Sequence, residues 1–90
     1  MFDVIVHICA ERFLDACENT LRARLLDVCD GLGADPFVDG QSKFVWLAPP
    51  AVFRLWSDSE YWVIYRLDDS DTVHVYNIGK EGRDEPDFRC

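Results

Sequence analysis

The feature that most constrains the fold is a change of hydrophobic period after the first nine residues. Residues 2–9 carry apolar side chains at alternate positions, which predicts a β-strand: Phe2, Val4, Val6 and Ile8. Over residues 10–32 the apolar positions recur every three or four residues, which predicts a helix: Leu14, Cys17, Leu21, Leu25, Val28 and Leu32. A strand followed at once by an amphipathic helix indicates a sheet against which the helix buries its apolar stripe.

The helical region allows either one helix or two. Asn19 or Thr20 could cap a second helix after a break at residues 18–20, because short polar side chains accept hydrogen bonds from helix N-terminal N–H groups. The periodicity is unbroken across this point and favours a single helix, straight or slightly kinked. Residues 30–33 contain Gly31 and Gly33 and predict the stop, since glycine readily takes the left-handed conformation after a helix.

The second half of the chain predicts an antiparallel meander. Residues 43–47 form a short apolar run that Pro49 and Pro50 stop, which indicates an edge strand. Three alternating segments follow, at residues 52–56, 61–67 and 72–78, joined by short polar connectors typical of hairpins. The predicted fold class is therefore α+β: an N-terminal strand, one or two helices, then a three- to four-stranded antiparallel meander, within a single domain spanning 1–90.

Composition and charge exclude several function classes. The chain has 90 residues, of which 49% are hydrophobic, as in a globular domain. Its formal net charge of −8 repels phosphate backbones, so direct nonspecific nucleic-acid binding is not expected. No apolar run is long enough to span a bilayer, and no secretion signal is recognisable, so we predict a cytoplasmic protein that does not bind membranes.

The cysteines do not indicate a metal site. Cys9, Cys17, Cys29 and Cys90 form no CxxC pair and no zinc-finger spacing with histidine. We therefore predict no metal and no cofactor, and interpret Cys17 and Cys29 as small core residues. In a reducing cytoplasm disulfides are not expected.

Several short motifs, in one order, resemble the RelE/ParE superfamily of bacterial toxins over most of the chain. The helical region ends near Asp35-Pro36, with Gly40 shortly after, and the strand at residues 52–56 carries Arg54. Residues 61–66, Tyr-Trp-Val-Ile-Tyr-Arg, are similar to the family's Tyr-Arg-Val-Ile-Tyr strand. The last strand ends in Ile-Gly-Lys at residues 78–80 and is followed by Arg83.

The resemblance implies a RelE/ParE-like fold and a toxin-like component of a bacterial toxin–antitoxin system. RelE-like members cut mRNA in the ribosomal decoding site, and ParE-like members bind and block DNA gyrase. Both are held inactive by a partner antitoxin. The expected partners are therefore an antitoxin or a target protein, with the ribosome or gyrase as the site of action.

The chain departs from the family at positions that matter for RNA cleavage. Trp62 and Glu81 stand where the family has arginine, and Phe88, the candidate tail aromatic, has no hydroxyl for proton transfer. The resemblance leaves three candidate catalytic residues that could bind phosphate: Arg54, Lys80 and Arg83. If the chain is an enzyme, we expect it to be an mRNA endoribonuclease. Alternatively, the toxin binds its target and inhibits it without cleaving RNA.

Aromatic residues supply a candidate partner-binding surface, because exposed aromatic clusters mark protein interfaces: Trp46, Trp56, Trp62 and Phe88. Core packing is the alternative role for each tryptophan. The charge of −8 also supports a second hypothesis, a non-catalytic acidic protein-binding module such as an immunity protein, a phage-encoded inhibitor or a nucleic-acid mimic. Convergence of the three candidate basic residues would favour the toxin, and pairing of each with an acid would favour the module.

Overall fold

The computed structural model describes residues 2–47 and 52–86. In chain order these residues form two helices and five strands: β1 (Asp3–Val6), α1 (Ile8–Ala16), α2 (Asn19–Ala34), β2 (Lys43–Leu47), β3 (Phe53–Ser57), β4 (Tyr61–Leu67) and β5 (Thr72–Lys80). The predicted α+β class and the antiparallel meander are confirmed. In the described part of the chain, neither helix is long and apolar enough to cross a bilayer.

The five strands form one mixed sheet in the order β1-β5-β4-β3-β2. Strands β2 to β5 pair antiparallel with their sequence neighbours, and β2 occupies one edge as predicted. At the other edge β1 pairs parallel with β5. A parallel pair needs a crossover connection, and α1 and α2 provide the first part of it on one face of the sheet.

Strand β1 is shorter than the sequence pattern predicts. It ends at Val6, where the pattern extends the strand to Cys9. The backbone N–H of His7 donates to the carbonyl of Val75 at 2.8 Å, which is the last bond toward β5. His7 keeps an extended backbone and directly precedes α1, so Ile8 begins the helix instead of ending the strand.

The helical region is divided into two helices, although its periodicity favoured one. The backbone is extended at Cys17 and Glu18, between α1 and α2. The guanidinium of Arg22 reaches back and donates to the carbonyl oxygens of Leu14 at 2.9 Å, Asp15 at 3.1 Å and Cys17 at 3.2 Å. Carbonyl groups at a helix C-terminus have no partner within the helix, so this side chain stabilises the break.

The main core lies between the helices and one face of the sheet. Helix residues Ala10, Leu14, Leu25, Cys29 and Leu32 pack there against Val63, Tyr65, Val73, Val75 and Ile78. On the opposite face of β4, Trp62 and Ile64 are also buried, at 1% and 0% exposure. The indole N–H of Trp62 donates to the carbonyl oxygen of Asp84 at 2.9 Å. The segment after β5 therefore lies against Trp62.

The cysteines agree only in part with the prediction that none forms a disulfide. Cys17 and Cys29 are free thiols, and burial raises the pKa of Cys29 to about 11. Cys9 is disulfide-bonded, which contradicts the prediction for that residue. Cys90 lies outside the described residues.

Candidate functional site

Two of the three candidate basic residues meet where β4 begins and β5 ends. Tyr61 lies opposite Lys80 in the β4–β5 register, and the turn after β5 then brings Arg83 toward α1. The Arg83 guanidinium carbon lies 5.9 Å from the centre of the Phe13 ring, and Phe13 meets Tyr61 edge-on at 6.4 Å between centroids. These four side chains line a cavity of about 270 Å³.

Asp84 partly neutralises the cationic side of this cavity. Its Oδ2 accepts hydrogen bonds from Nη2 and Nε of Arg83 at 2.8 and 3.1 Å, and from the backbone N–H of Lys80 at 3.0 Å. The bonds from Arg83 and from the Lys80 backbone lower the pKa of Asp84, and the bonds to Asp84 raise the pKa of Arg83. Within the described residues no acceptor pairs with the Lys80 ammonium, and Lys80 is exposed. Lys80 thus carries the less compensated of the two charges.

The junction between the helices closes the other side of the cavity. Ala16, Cys17, Glu18 and Leu21 line it there. Burial raises the pKa of Cys17, and the negative charge of Glu18 adds to that effect. The positive charges of Arg22 and Arg83 act in the opposite direction.

Arg54 lies elsewhere in the sheet. It stands opposite Tyr65 in the β3–β4 register, four residues along β4 from Tyr61, which is about 13 Å at the usual strand rise. Its Nη1 donates to the carbonyl oxygen of Pro36 at 3.0 Å, and its guanidinium carbon lies 6.0 Å from the centre of the Phe37 ring. The structure therefore brings Lys80 and Arg83 together and leaves Arg54 holding the loop after α2.

The tryptophans do not share one exposed surface. Trp62 is buried on the sheet face away from the helices. Trp56 is half-buried and packs against the main core on the helix side. Trp46 is half-buried on β2 and meets Phe53 edge-on at 6.5 Å between centroids. Phe88 lies outside the described residues. Of the described aromatic candidates, Trp62 is buried and Trp46 and Trp56 are half-buried, so they form no single exposed cluster.

A polar network on the sheet was missed by the sequence reasoning. His7 Nε2 lies 2.9 Å from His74 Nδ1, and His74 Nε2 lies 2.7 Å from Asp68 Oδ2. Tyr76 stacks on His7 at 4.5 Å between ring centroids. The alternation of His74 and Tyr76 placed those two residues on one face, but nothing in the sequence links them to His7. Within residues 2–47 and 52–86, no cluster of three side chains is arranged to hold a metal ion.

Comparison with known proteins gives matches to solved structures alone. No protein-family model and no curated protein matches the sequence. A chain of the toxin–antitoxin complex RelBE2 from Mycobacterium tuberculosis superposes with a TM-score of 0.74 and 18% identity, covering 89% of this chain and 98% of that one. A chain of the archaeal RelE–RelB complex from Pyrococcus horikoshii OT3 superposes with a TM-score of 0.75 and 16% identity. The match covers 92% of this chain and 98% of that one.

The isolated RelE toxin of E. coli gives a TM-score of 0.70 and 19% identity, covering 94% of this chain and 89% of that one. Each match covers at least 89% of this chain and of the matched chain, so the similarity concerns the architecture as a whole. The resemblance drawn from short motifs is thus confirmed at the level of architecture: this chain has the fold of the RelE toxins.

Proposed function

We propose that the chain is the toxin-like component of a bacterial toxin–antitoxin pair. It inhibits growth by acting on the ribosome and its mRNA or on DNA gyrase in the cytoplasm, and a protein antitoxin neutralises it. One observation carries this proposal: the chain covers 98% of the matched chain in each of two structures described as toxin–antitoxin or RelE–RelB complexes. The shared fold supports a shared type of partner.

The candidate basic residues support inhibition by binding more than by RNA cleavage. Cleavage needs a base, an acid and a stabiliser of the developing charge in one place. Arg54 is bonded to the carbonyl of Pro36, and Arg83 is held by Asp84. Lys80 remains the most available cation of the three. We therefore assign target contact to Lys80 and Arg83 and a structural role to Arg54.

Controlled induction in a bacterial culture tests this proposal, with pulse labelling of protein and DNA synthesis. An early fall in protein labelling identifies the ribosome as the target, and an early fall in DNA labelling identifies gyrase. Lys80→Ala and Arg83→Ala should weaken the arrest. Arg12→Ala, an exposed arginine on α1 away from the cavity, is the matched control and should arrest growth like the wild type. Undisturbed growth at high levels of folded protein would refute the proposal.

The second candidate function is a non-catalytic acidic protein-binding module on the same fold. The net charge of −8 favours it, as do ion pairs that occupy surface cations. Arg24 pairs with Asp58, and Lys43 lies 3.6 Å from Asp35. An acidic interface loses its long-range attraction when salt is added. Binding to a captured partner that weakens steeply with salt, without growth arrest on induction, would favour this module over the toxin.

A further inference from the structure

The cavity between the helix junction and the end of the sheet combines an apolar floor with a cationic rim. Phe13, Leu21 and Tyr61 supply the floor, and Lys80 and Arg83 supply the rim. Pockets of this composition bury the apolar part of a ligand and orient it through a few polar groups. At about 270 Å³ the space lies just below the usual volume range of ligand pockets, so it suits a small ligand with a single ring and its head group.

Hydrogen-bond donors remain unused on the rim. A guanidinium has five N–H donors, and Asp84 takes one from Nε and one from Nη2 of Arg83. Both N–H groups of Nη1 have no acceptor in the described part of the chain. The Lys80 ammonium adds three donors that likewise have no acceptor there. Two neighbouring cations with free donors suit an anionic head group of a phosphate or carboxylate.

The charges around the cavity favour an anion, although the chain as a whole is strongly acidic. Glu18 is the acid that lines the cavity, and Asp84 lies behind Arg83. These two acids are outnumbered by three cations: Lys80, Arg83 and the nearby Arg22. Helix α2 also begins at Asn19 on this wall, and the side chain of its N-cap residue, Glu18, makes no capping hydrogen bond. The positive end of that helix adds to the attraction.

We propose that this cavity binds a small organic anion: a single aromatic or branched aliphatic group carrying a phosphate or carboxylate. The ring lies between Phe13 and Leu21 beside Tyr61, and the head group meets Lys80 and the free edge of Arg83. The ligand is either a free metabolite or the side chain of a protein segment with the same chemistry. This inference goes beyond the proposed function, and binding is measured on the isolated chain, so each can fail without the other.

Titration of the full-length protein, followed by NMR chemical shifts, tests the proposal with matched probes. Phenyl phosphate carries both the ring and the head group, phenol has the ring alone, and inorganic phosphate has the head group alone. Phenyl phosphate should bind saturably and about tenfold more tightly than either partial probe, since each lacks one set of contacts. The shifted signals should come from residues around the cavity, including Cys17 and Leu21.

Variants locate the site. Lys80→Ala should weaken phenyl phosphate binding about tenfold, as expected for the loss of one charge-assisted hydrogen bond. Phe13→Leu should weaken it while leaving the weak response to inorganic phosphate in place. Arg12→Ala should bind like the wild type. Equal binding by wild type and Lys80→Ala, or no saturable binding of phenyl phosphate, would overturn the proposal.

An experiment with a peptide distinguishes the two sources of the ligand, a protein segment and a free metabolite. A short blocked peptide with glutamate next to phenylalanine offers the same chemistry on a backbone. Tighter binding of the peptide than of benzoate assigns the cavity to a protein segment, and the reverse order assigns it to a free metabolite. If neither peptide nor benzoate competes with phenyl phosphate, the proposal fails for carboxylates.

Discussion

Arg54 and Tyr65 lie opposite each other on β3 and β4, and both side chains donate a hydrogen bond to the carbonyl oxygen of Pro36. The distances are 3.0 Å from Arg54 Nη1 and 2.8 Å from Tyr65 Oη. Pro36 is fully buried, so bulk water does not reach its carbonyl oxygen to replace these two donors. The pair fastens the loop that follows α2 onto the middle of the sheet. It also explains why Arg54 is remote from the cavity at Lys80.

The shared acceptor predicts coupled effects on stability. Tyr65→Phe and Arg54→Met should each lower the free energy of unfolding by about 1–2 kcal/mol, because the carbonyl keeps one donor in each single variant. The double variant leaves a buried carbonyl unpaired, so its loss should exceed the sum of the single losses by at least about 0.5 kcal/mol. Urea denaturation of the four proteins provides the measurement. Strictly additive losses would show that the two bonds act independently.

Gly79 and Gly31 predict opposite outcomes for the same substitution. A Cβ at Gly79 would overlap the ring of Trp62, which is itself buried, whereas a Cβ at Gly31 meets nothing within 4 Å. Gly79→Ala should therefore lower the free energy of unfolding by about 1–3 kcal/mol through overpacking. Gly31→Ala lies on α2 and should leave stability unchanged or raise it by up to about 1 kcal/mol. Thermal or urea unfolding measures the stability of the two variants. Equal losses of unfolding free energy would contradict the close packing of Gly79 against Trp62.

The contact between His7 and His74 predicts a dependence of stability on pH. Burial and the nearby charge of His74 lower the pKa of His7 from its ordinary value of 6.5. Between the lowered pKa and 6.5 the unfolded chain binds more protons than the folded one, so stability falls as the pH drops through this window. The bond between the two rings also needs one nitrogen without a proton, and full protonation of both rings removes it.

A variant at His7 isolates this effect. His7→Asn keeps a residue suited to the position before a helix and removes the titrating ring. Unfolding free energies between pH 7.5 and pH 5 should fall for the wild type and change less for the variant. Asp68, whose pKa is lowered chiefly by its hydrogen bond to His74, titrates at more acidic pH and is common to both proteins. If the unfolding free energies of the wild type and His7→Asn fall equally with pH, the acid sensitivity arises from groups other than His7.

Local patterns predicted most of the fold because they depend on neighbouring residues. The alternation from Tyr61 to Leu67 predicted β4 with the correct bounds, and the short polar connectors predicted the antiparallel meander. The break before α2 was not predictable in the same way, since it depends on the side chain of Arg22 meeting carbonyls up to eight residues earlier. The sequence predicts a helix stop that includes Gly33, yet α2 continues past this residue to Ala34.

The candidate site was only partly predictable, because it depends on contacts between distant segments. Lys80 and Arg83 are close in sequence, and the resemblance to the RelE/ParE superfamily made them candidates. Phe13 carried no such signal, although it meets both Tyr61 and Arg83. Core packing is one of the two roles that the sequence leaves open for Trp62, but alternation along β4 places this residue on the face opposite the helix-side core, so the sequence does not show what buries it. The segment after β5 contacts Trp62 through the carbonyl oxygen of Asp84, and the position of this segment cannot be inferred from the period of β4.

The most direct test of the central proposal is the growth rate of a bacterial culture after induction of the wild-type chain and two folding controls. Gly31→Ala preserves the fold and should arrest growth like the wild type. Gly79→Ala lowers stability and should arrest growth less, in proportion to the loss of folded protein. Arrest that follows the amount of folded chain is the predicted result. Normal growth despite abundant folded wild-type protein would contradict the assignment as a toxin-like component.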